Sequence, residues 1–309
     1  MRVVSPSRQV QAFGVAALGV VVLSPDALMI KILNVDLWSL VFYRNVFLAI
    51  FVLAVYFVRR RSAISDVGGG LVGVGGLGGH SDLVGAGGLA GALYGLSAIC
   101  FVLAVRQTTA ANAVVILGAL PMAAAVMRRV FLKQSTPWRT WVAAASVMTA
   151  LAYLGAAEFG KADLWGVVAA CGAMLLYSGH VTILSARPQL DRVAVLGVGA
   201  ALAAVLAVLM ATNLAVSLVL TPTQLGLLAV LGVVVVGGAH MAFGMATRVL
   251  SGPEVALVIL LEMVLGPFWV WLALGEVPAQ DTVLVGAAIA ISVGLHGVIS
   301  LRVKASAIA

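Results

Sequence analysis

Residues 193–220 read VAVLGVGAALAAVLAVLMATNLAVSLVL. The stretch contains no charged residue and is apolar on every face of a helix, which is typical of a membrane span of about 20 residues. A membrane β-barrel would instead show short segments in which apolar and polar residues alternate. The stretch therefore predicts an α-helical membrane protein.

The composition of the whole chain indicates the same class. Hydrophobic residues make up 63% of the chain and charged residues 9%, whereas soluble domains have about 45–50% and about 25%. A water-soluble fold cannot hide this much apolar surface, because a globule also needs a polar shell. The 309 residues, at about 20 residues per span with short loops, accommodate about ten helices.

The basic residues support ten spans and give them an orientation. The spans are predicted at residues 10–30, 38–58, 84–105, 110–127, 138–156, 163–184, 193–216, 224–246, 253–274 and 282–301. Short cytoplasmic loops are enriched in Lys and Arg. If the N-terminus is inside, 14 basic residues lie on the inner side, 3 on the outer side and Arg44 within a span, which accounts for all 18. The inner residues are Arg2, Arg8, Arg59, Arg60, Arg61, Arg128, Arg129, Lys133, Arg139, Arg187, Arg192, Arg248, Arg302 and Lys304, and the outer residues are Lys31, Arg106 and Lys161. We therefore expect a multi-pass protein of the cell (inner) membrane with both termini cytoplasmic.

An internal repeat underlies this pattern. A shift of 142 positions places residues 104–106, Ala-Val-Arg, on residues 246–248, Ala-Thr-Arg, and Gly95 on Gly237. Because each copy holds five helices, an odd number, the second copy enters the membrane from the opposite side. The expected domains are residues 10–156, spans 1–5, and residues 163–301, spans 6–10. Inverted repeats of this kind are typical of transporters whose substrate site lies near the midplane.

Two glycine patterns have different interpretations. Residues 73–78, GVGGLG, match the dinucleotide motif G-x-G-x-x-G, but that motif needs a preceding strand and a soluble βαβ unit. Here it follows a basic helix end and leads into a membrane helix, so residues 68–79 are interpreted as a flexible cytoplasmic loop. Gly87, Gly91 and Gly95 recur on one face of span 3, which favours close helix packing over a substrate role.

Two quoted segments resemble a known family. Residues 24–31, SPDALMIK, and 42–45, FYRN, resemble the opening of EamA-type members of the drug/metabolite transporter superfamily. Residues 261–276, LEMVLGPFWVWLALGE, resemble the ninth span of that family and are its most specific part. The chain departs from the family pattern at Pro25 and Asp26, and Lys133-Gln134 stands where a first-half Gly-Glu turn is expected.

The resemblance covers essentially the whole chain as two EamA repeats. It implies an all-α membrane fold of ten helices, a pseudo-twofold axis in the membrane plane and a central cavity. Spans 1–4 and 6–9 would line that cavity, and spans 5 and 10 would be peripheral. Many members export amino acids or other small metabolites, so the resemblance implies a secondary transporter rather than an enzyme.

Asp26 and Arg44 are candidates for an ion pair. Charged groups inside a bilayer are costly, so each needs a partner or a function. Counted along the helices from the same end of spans 1 and 2, their depths differ by only about 3 Å. A structural pair and a role in gating or substrate contact are both open.

Glu262 is the sharpest single candidate for proton coupling. It lies roughly 13 Å into span 9, near the midplane, with Gly266 and Trp269 on the same helix face. Little water reaches that depth, which favours the neutral carboxyl and suits a group that takes up and releases protons. Gly266 would leave room for substrate beside it. A structural carboxyl between helices is the alternative.

The remaining candidates are one histidine and several aromatic side chains. His240 in span 8 is either a packing residue or part of a proton relay. His180 and His296 are interpreted as structural, and Lys31 as reaching for the lipid headgroups. An aromatic cavity wall would consist of Tyr43, Tyr94, Phe101, Phe243 and Trp269, although core packing or lipid contact explains such residues equally well.

The sequence is compatible with two functions, export of a small solute and translocation of lipids. The sequence has no metal-ligand spacing, no nucleotide-hydrolysis motif and no catalytic motif, so no cofactor, metal or nucleic-acid partner is expected. The expected partners are a small-molecule substrate and the lipid bilayer, with the protein either a monomer or a homodimer through its peripheral spans. The first hypothesis is an exporter that works by alternating access, with or without proton coupling. A translocase of lipids or lipid-linked intermediates is the alternative for the same fold.

Overall fold

A computed structural model describes residues 6–65, 83–133, 137–157, 163–246, 249–250, 258 and 260–306. None of these residues is in a β-strand. Within the described residues, nine helical segments are long and apolar enough to cross a membrane, and Glu262–Leu274 is a shorter apolar helix. The spans are numbered 1 to 10 in chain order: Val10–Ile32, Leu37–Arg59, Gly85–Gln107, Ala110–Leu132, Trp138–Ala157, Leu164–Ala186, Arg192–Asn213, Pro222–Ala246, Glu262–Leu274 and Gln280–Ile299. This arrangement confirms the predicted all-α, ten-helix membrane fold. The glycine-rich loop at residues 68–79 lies outside the described residues.

Eight of the spans form a closed ring. Taken in order around the ring, spans 6, 3, 7, 2, 8, 1, 9 and 4 each pack against the next, and span 4 packs against span 6. Spans 5 and 10 lie outside this ring, where they pack against each other and against span 4. These are the positions that the family resemblance implies for lining and peripheral spans.

The ring has the symmetry that an internal repeat requires. Exchanging each span with the one five places later turns the contact of spans 3 and 6 into that of spans 8 and 1, and the contact of spans 3 and 7 into that of spans 8 and 2. The cap of span 4, Lys133 (φ 52°), and the cap of span 9, Gly275 (φ 69°), are both left-handed. They are 142 positions apart, the same shift as in the sequence. A non-glycine residue in this conformation costs roughly 1–2 kcal/mol. Lys133 therefore adopts the same left-handed cap as Gly275, although glycine is the residue that this conformation favours.

Three spans are interrupted at membrane depth. Span 1 breaks at Ser24-Pro25, because Pro25 has no N–H to donate to Val21 four residues earlier. The Ser24 hydroxyl donates to that carbonyl instead, at 2.9 Å. Span 4 breaks at residues 118–119, just before Pro121, and span 8 widens into a π-helix over Val230–Gly238. Irregular backbone at this depth is tolerated only where protein or a water-filled cavity surrounds it, so the breaks point to the ring's interior.

Glycines allow the ring to close tightly. A Cβ on Gly95 would collide with the carbonyl oxygen of Gly199, and a Cβ on Gly91 would lie 3.1 Å from the Val195 oxygen. The equivalent contact of spans 8 and 2 places Gly232 against the backbone of Arg44. The packing interpretation of the span 3 glycines is therefore the one that the contacts support.

Candidate functional site

An ion pair connects spans 1 and 2 inside the ring. Arg44 Nη2 donates to Asp26 Oδ2 at 2.7 Å, and both residues are buried, with 4% of each exposed. Asp26 begins the second segment of span 1, directly after the break at Pro25. The pair lies about 10 Å below the helix ends Ile32 and Leu37, at 1.5 Å per residue. The predicted contact is thus present, whereas its role is a matter for experiment.

The pair leaves hydrogen-bonding capacity unused. Asp26 Oδ1, Arg44 Nε and Arg44 Nη1 are buried and have no hydrogen-bond partner among the described residues. Buried polar atoms normally have partners. An acceptor and two donors are therefore available for a further polar group.

Glu262 lies where spans 1, 4 and 9 meet. It begins the helix of span 9, about 18 Å along the axis from Leu274. Its Oε2 is buried without a hydrogen-bond partner in the described part of the chain. Asp26 and Glu262 lie on helical segments of spans 1 and 9 that pack against each other.

The space beside Gly266 differs from the prediction. A Cβ at Gly266 would lie 3.3 Å from Glu262 Oε1 and 3.3 Å from a methyl group of Val114 in span 4. The glycine therefore serves helix packing and accommodates the Glu262 carboxyl itself. The expectation that Gly266 leaves room for substrate is wrong in this conformation.

Tyr94 and His240 meet across the ring. Their ring centroids are 5.4 Å apart in an edge-to-face arrangement, and Tyr177 and His180 of span 6 complete the group. Arg44 acts electrostatically on both Tyr94 and His240. We name Tyr94, Tyr177, His180 and His240 the Tyr–His layer. His180 and Tyr177 were absent from the predicted site, although their spacing of three residues places them on one face of span 6.

The other predicted aromatic residues lie in separate places rather than in one wall. Tyr43 donates to the Leu218 carbonyl at 2.9 Å, and Trp269 Nε1 donates to Ser24 Oγ at 2.9 Å beside the span 1 break. Phe101 packs on the main core, and Phe243 packs near Gly19 between spans 1 and 8. Trp269 is thus the one of these four that hydrogen bonds to the broken span.

A polar network closes the end of the ring at which spans 1 and 2 are connected, here named the outer end after the predicted orientation. Lys31 Nζ lies 2.6 Å from Glu276 Oε2 and donates to the Thr108 carbonyl at 3.3 Å. Glu276 Oε1 accepts from the Ala110 amide at 2.7 Å, which caps span 4. Arg106 donates to the carbonyls of residues 33 and 35 across the ring. Lys31 therefore pairs with Glu276 rather than reaching for lipid headgroups.

The arrangement offers buried charge of both signs. Among the described residues, no group of three or more His, Cys, Asp and Glu side chains has the geometry to hold a metal ion. The unpartnered acceptors and donors of Asp26, Arg44 and Glu262 belong to spans 1, 2 and 9. Such a site can bind and orient a polar solute.

Comparison with known proteins gives the family. Residues 11–156 match the model of the EamA-like transporter family. The protein therefore belongs to this family over residues 11–156. It is thus a multi-pass transporter of the drug/metabolite transporter type, and the family indicates transport rather than catalysis. One solved structure, titled only "Crystal structure of protein", matches with a TM-score of 0.63 and 17% identity, covering 97% of this chain and 100% of that chain. At this identity the likeness shows the fold alone. No curated protein matches the chain.

Proposed function

We propose that this EamA-type protein is a secondary transporter that exports a small organic metabolite, an amino acid or a related compound, by alternating access with proton coupling through Glu262. The observation that carries the proposal is the buried, unpartnered carboxyl oxygen of Glu262 beside the broken spans 1 and 4. Helices broken near the midplane are typical of substrate and ion sites in transporters built from inverted repeats.

The charges inside the ring support the proposed substrate class. Arg44 keeps two donors unused, and Asp26 and Glu262 each keep one oxygen unused. An amino acid carries a carboxylate and an ammonium group, so it complements both kinds of unused group. Arg binds carboxylates well because its guanidinium presents several donors in one plane.

Coupling requires that the protonation of Glu262 differ between the two access states. Burial favours the neutral carboxyl, whereas water admitted as one side opens, or a cationic substrate, favours the ionised form. A ligand shifts a conformational equilibrium only through different affinities for the two states. A proton that binds Glu262 more tightly in the closed state meets this condition.

The test replaces the titratable group and keeps its shape. A thermal-shift screen of metabolites on the purified protein first supplies the substrate. In proteoliposomes, Glu262→Gln should retain exchange of that compound between compartments and lose its accumulation driven by a pH gradient. Asp281→Asn is the control, since it removes a carboxylate from span 10, outside the ring, where Asp281 accepts a hydrogen bond from Tyr153. Accumulation by Glu262→Gln at the wild-type level would show that the carboxyl is structural.

A flux assay with lipids separates this proposal from the alternative. Fluorescent phospholipids are reconstituted beside the small solute in the same liposomes. Transport of the solute without lipid flipping supports the exporter. Lipid flipping without solute flux would support a lipid translocase instead.

The proposed location is the cell (inner) membrane with both termini cytoplasmic, supported by the 14-to-3 distribution of basic residues. In a cysteine-free background, a Ser81→Cys variant should resist an impermeant thiol reagent in intact cells and react after permeabilisation. Labelling of Ser81→Cys in intact cells would reverse the topology.

The proposed partners are the substrate and the surrounding lipid. Spans 5 and 10 lie outside the ring and expose apolar side chains, among them Trp138, Val142, Leu284 and Leu295. In a monomer these side chains face lipid, whereas in a homodimer some of them face a second copy. The mass of the purified protein in nanodiscs distinguishes the two.

A further inference from the structure

The Tyr–His layer fills the interior of the ring. Tyr94 belongs to span 3, Tyr177 and His180 to span 6, and His240 to span 8. Neither span 3 nor span 6 is next to span 8 in the ring. On one side, spans 7 and 2 separate span 3 from span 8. On the other side, spans 4, 9 and 1 separate span 6 from span 8. Contacts between these side chains therefore cross the centre.

The aromatic groups touch one another. Tyr94 has its centroid 6.2 Å from Tyr177, 5.5 Å from His180 and 5.4 Å from His240, and Tyr177 lies 5.4 Å from His180. Centroid distances of 4.5–7 Å are those of aromatic side chains in contact. A solute cannot pass between groups that are this close.

Hydrogen bonds fix both imidazoles in the layer. His180 Nδ1 lies 2.8 Å from the Ala90 carbonyl oxygen, and His240 Nδ1 lies 2.8 Å from that of Val236. Because a carbonyl only accepts, each Nδ1 carries a proton, and in the neutral ring Nε2 is then an acceptor. The Tyr177 hydroxyl lies 3.5 Å from His240 Nε2, at the long limit of a hydrogen bond, and can donate to it.

The layer lies in the inner half of the molecule. His240 and His180 are each six residues from the inner ends of their helices, Ala246 and Ala186, which is about 9 Å. Tyr94 lies nine residues from Gly85, or about 14 Å. The Asp26–Arg44 pair and the Lys31–Glu276 network lie toward the other end, so the layer stands between the polar site and the inner surface.

We propose that the Tyr–His layer is the inner gate of the transport pathway, and that Tyr177 and His180 are positioning residues that hold Tyr94 and His240 in contact. The proposal rests on the proposed transport function. Inner opening separates Tyr94 from His240, whereas the outer network opens at the other end of the cycle. Inner opening separates no ion pair, since the layer joins its spans through aromatic rings.

The test measures access to the site from the inner side and needs no knowledge of the substrate. Both free cysteines are first replaced, as Cys100→Ala and Cys171→Ala. The reporter is Ala98→Cys, one turn beyond Tyr94 on the same face of span 3 and 7% exposed. An impermeant methanethiosulfonate reagent is applied separately to each side of oriented membrane vesicles, and the rate of modification is measured.

Removal of a gate side chain should speed labelling from the inner side only. We expect Tyr94→Ala and His240→Ala each to raise the inner rate at least tenfold, whereas Tyr94→Phe, which keeps the ring, leaves it within twofold. Two variants on different spans guard against the loss of one by misfolding, and size-exclusion profiles verify both. Phe243→Ala is the matched control, because it removes a span 8 aromatic that packs near Gly19 outside the layer.

Two results would overturn the gate. The first is an inner rate that neither Tyr94→Ala nor His240→Ala changes, and the second is an equal rise in Phe243→Ala, which indicates general loosening. The outcome is separate from that of the transport assay. Gated labelling without flux of any screened compound would count against the proposed function and leave the gate standing.

Discussion

Two ion pairs of nearly equal length lie at different depths in this molecule. Asp26 and Arg44 are 2.7 Å apart, with 6% and 5% of their side chains exposed. Lys31 and Glu276 are 2.6 Å apart, with 18% and 24% exposed. Judged by distance alone, the two ion pairs would be equally strong. The free energy of breaking each pair depends, however, on what solvates the separated charges.

Burial decides which of the two contacts can open during transport. A buried charge that loses its partner has no water to replace it, whereas partly exposed groups are hydrated when they separate. We therefore expect the Asp26–Arg44 pair to hold spans 1 and 2 together throughout the cycle. The Lys31–Glu276 network at the outer end is the contact that can break and form again.

The largest effect is expected from breaking the buried pair. Arg44→Ala leaves the Asp26 carboxylate uncompensated and should lower the free energy of unfolding by about 3–5 kcal/mol. Chemical denaturation in detergent, followed by tryptophan fluorescence, measures the change. The double replacement Asp26→Leu/Arg44→Met keeps the volume apolar and should restore most of the stability while transport stays lost. Wild-type stability in Arg44→Ala would contradict the argument from burial.

The sequence alone predicted the buried Asp26–Arg44 pair but did not predict the partly exposed Lys31–Glu276 pair. Asp26 and Arg44 lie on consecutive spans at matching depths, so helix rise and the cost of a membrane charge sufficed. Lys31 and Glu276 are 245 residues apart, and only the closure of the ring brings span 9 beside span 1. The same limit explains the Tyr–His layer, whose members come from three spans that no short-range pattern connects.

Ten spans were predictable because lipid imposes a length and a hydropathy on each helix. The interruptions within spans 1, 4 and 8 were harder to predict from the sequence. Pro25 and Pro121 carry a sequence signal, since proline lacks the N–H of a regular helix, whereas the π-helix at Val230–Gly238 has no comparable residue pattern. The packed state of Gly266 depends on Val114 of another span, which sequence spacing cannot supply.

A smaller effect is expected from Glu276, which has two partners at the outer end. Glu276→Ala removes the ion pair with Lys31 and the cap on the Ala110 amide, so the free energy of unfolding should fall by about 1–2 kcal/mol. Glu276→Gln keeps an oxygen for the amide and should cost less than half as much. The same denaturation assay compares the two variants. Equal losses would show that the cap contributes nothing.

The smallest effect is expected from Lys31, and it tests the comparison most directly. Lys31→Met keeps most of the apolar stem and removes only the charge, so the loss should be at most about 1 kcal/mol. Because the pair is partly exposed, salt at about 1 M should reduce the difference in unfolding free energy between Lys31→Met and the wild type, whereas the loss of stability in Arg44→Ala should persist.

Weakening the outer network should also favour the state that is open on the outer side. Labelling of Ala98→Cys from the outer side should then be faster in Lys31→Met than in the wild-type background. A loss as large as that of Arg44→Ala, or one that salt leaves unchanged, would show that the outer pair is as fixed as the buried one and that the network does not open.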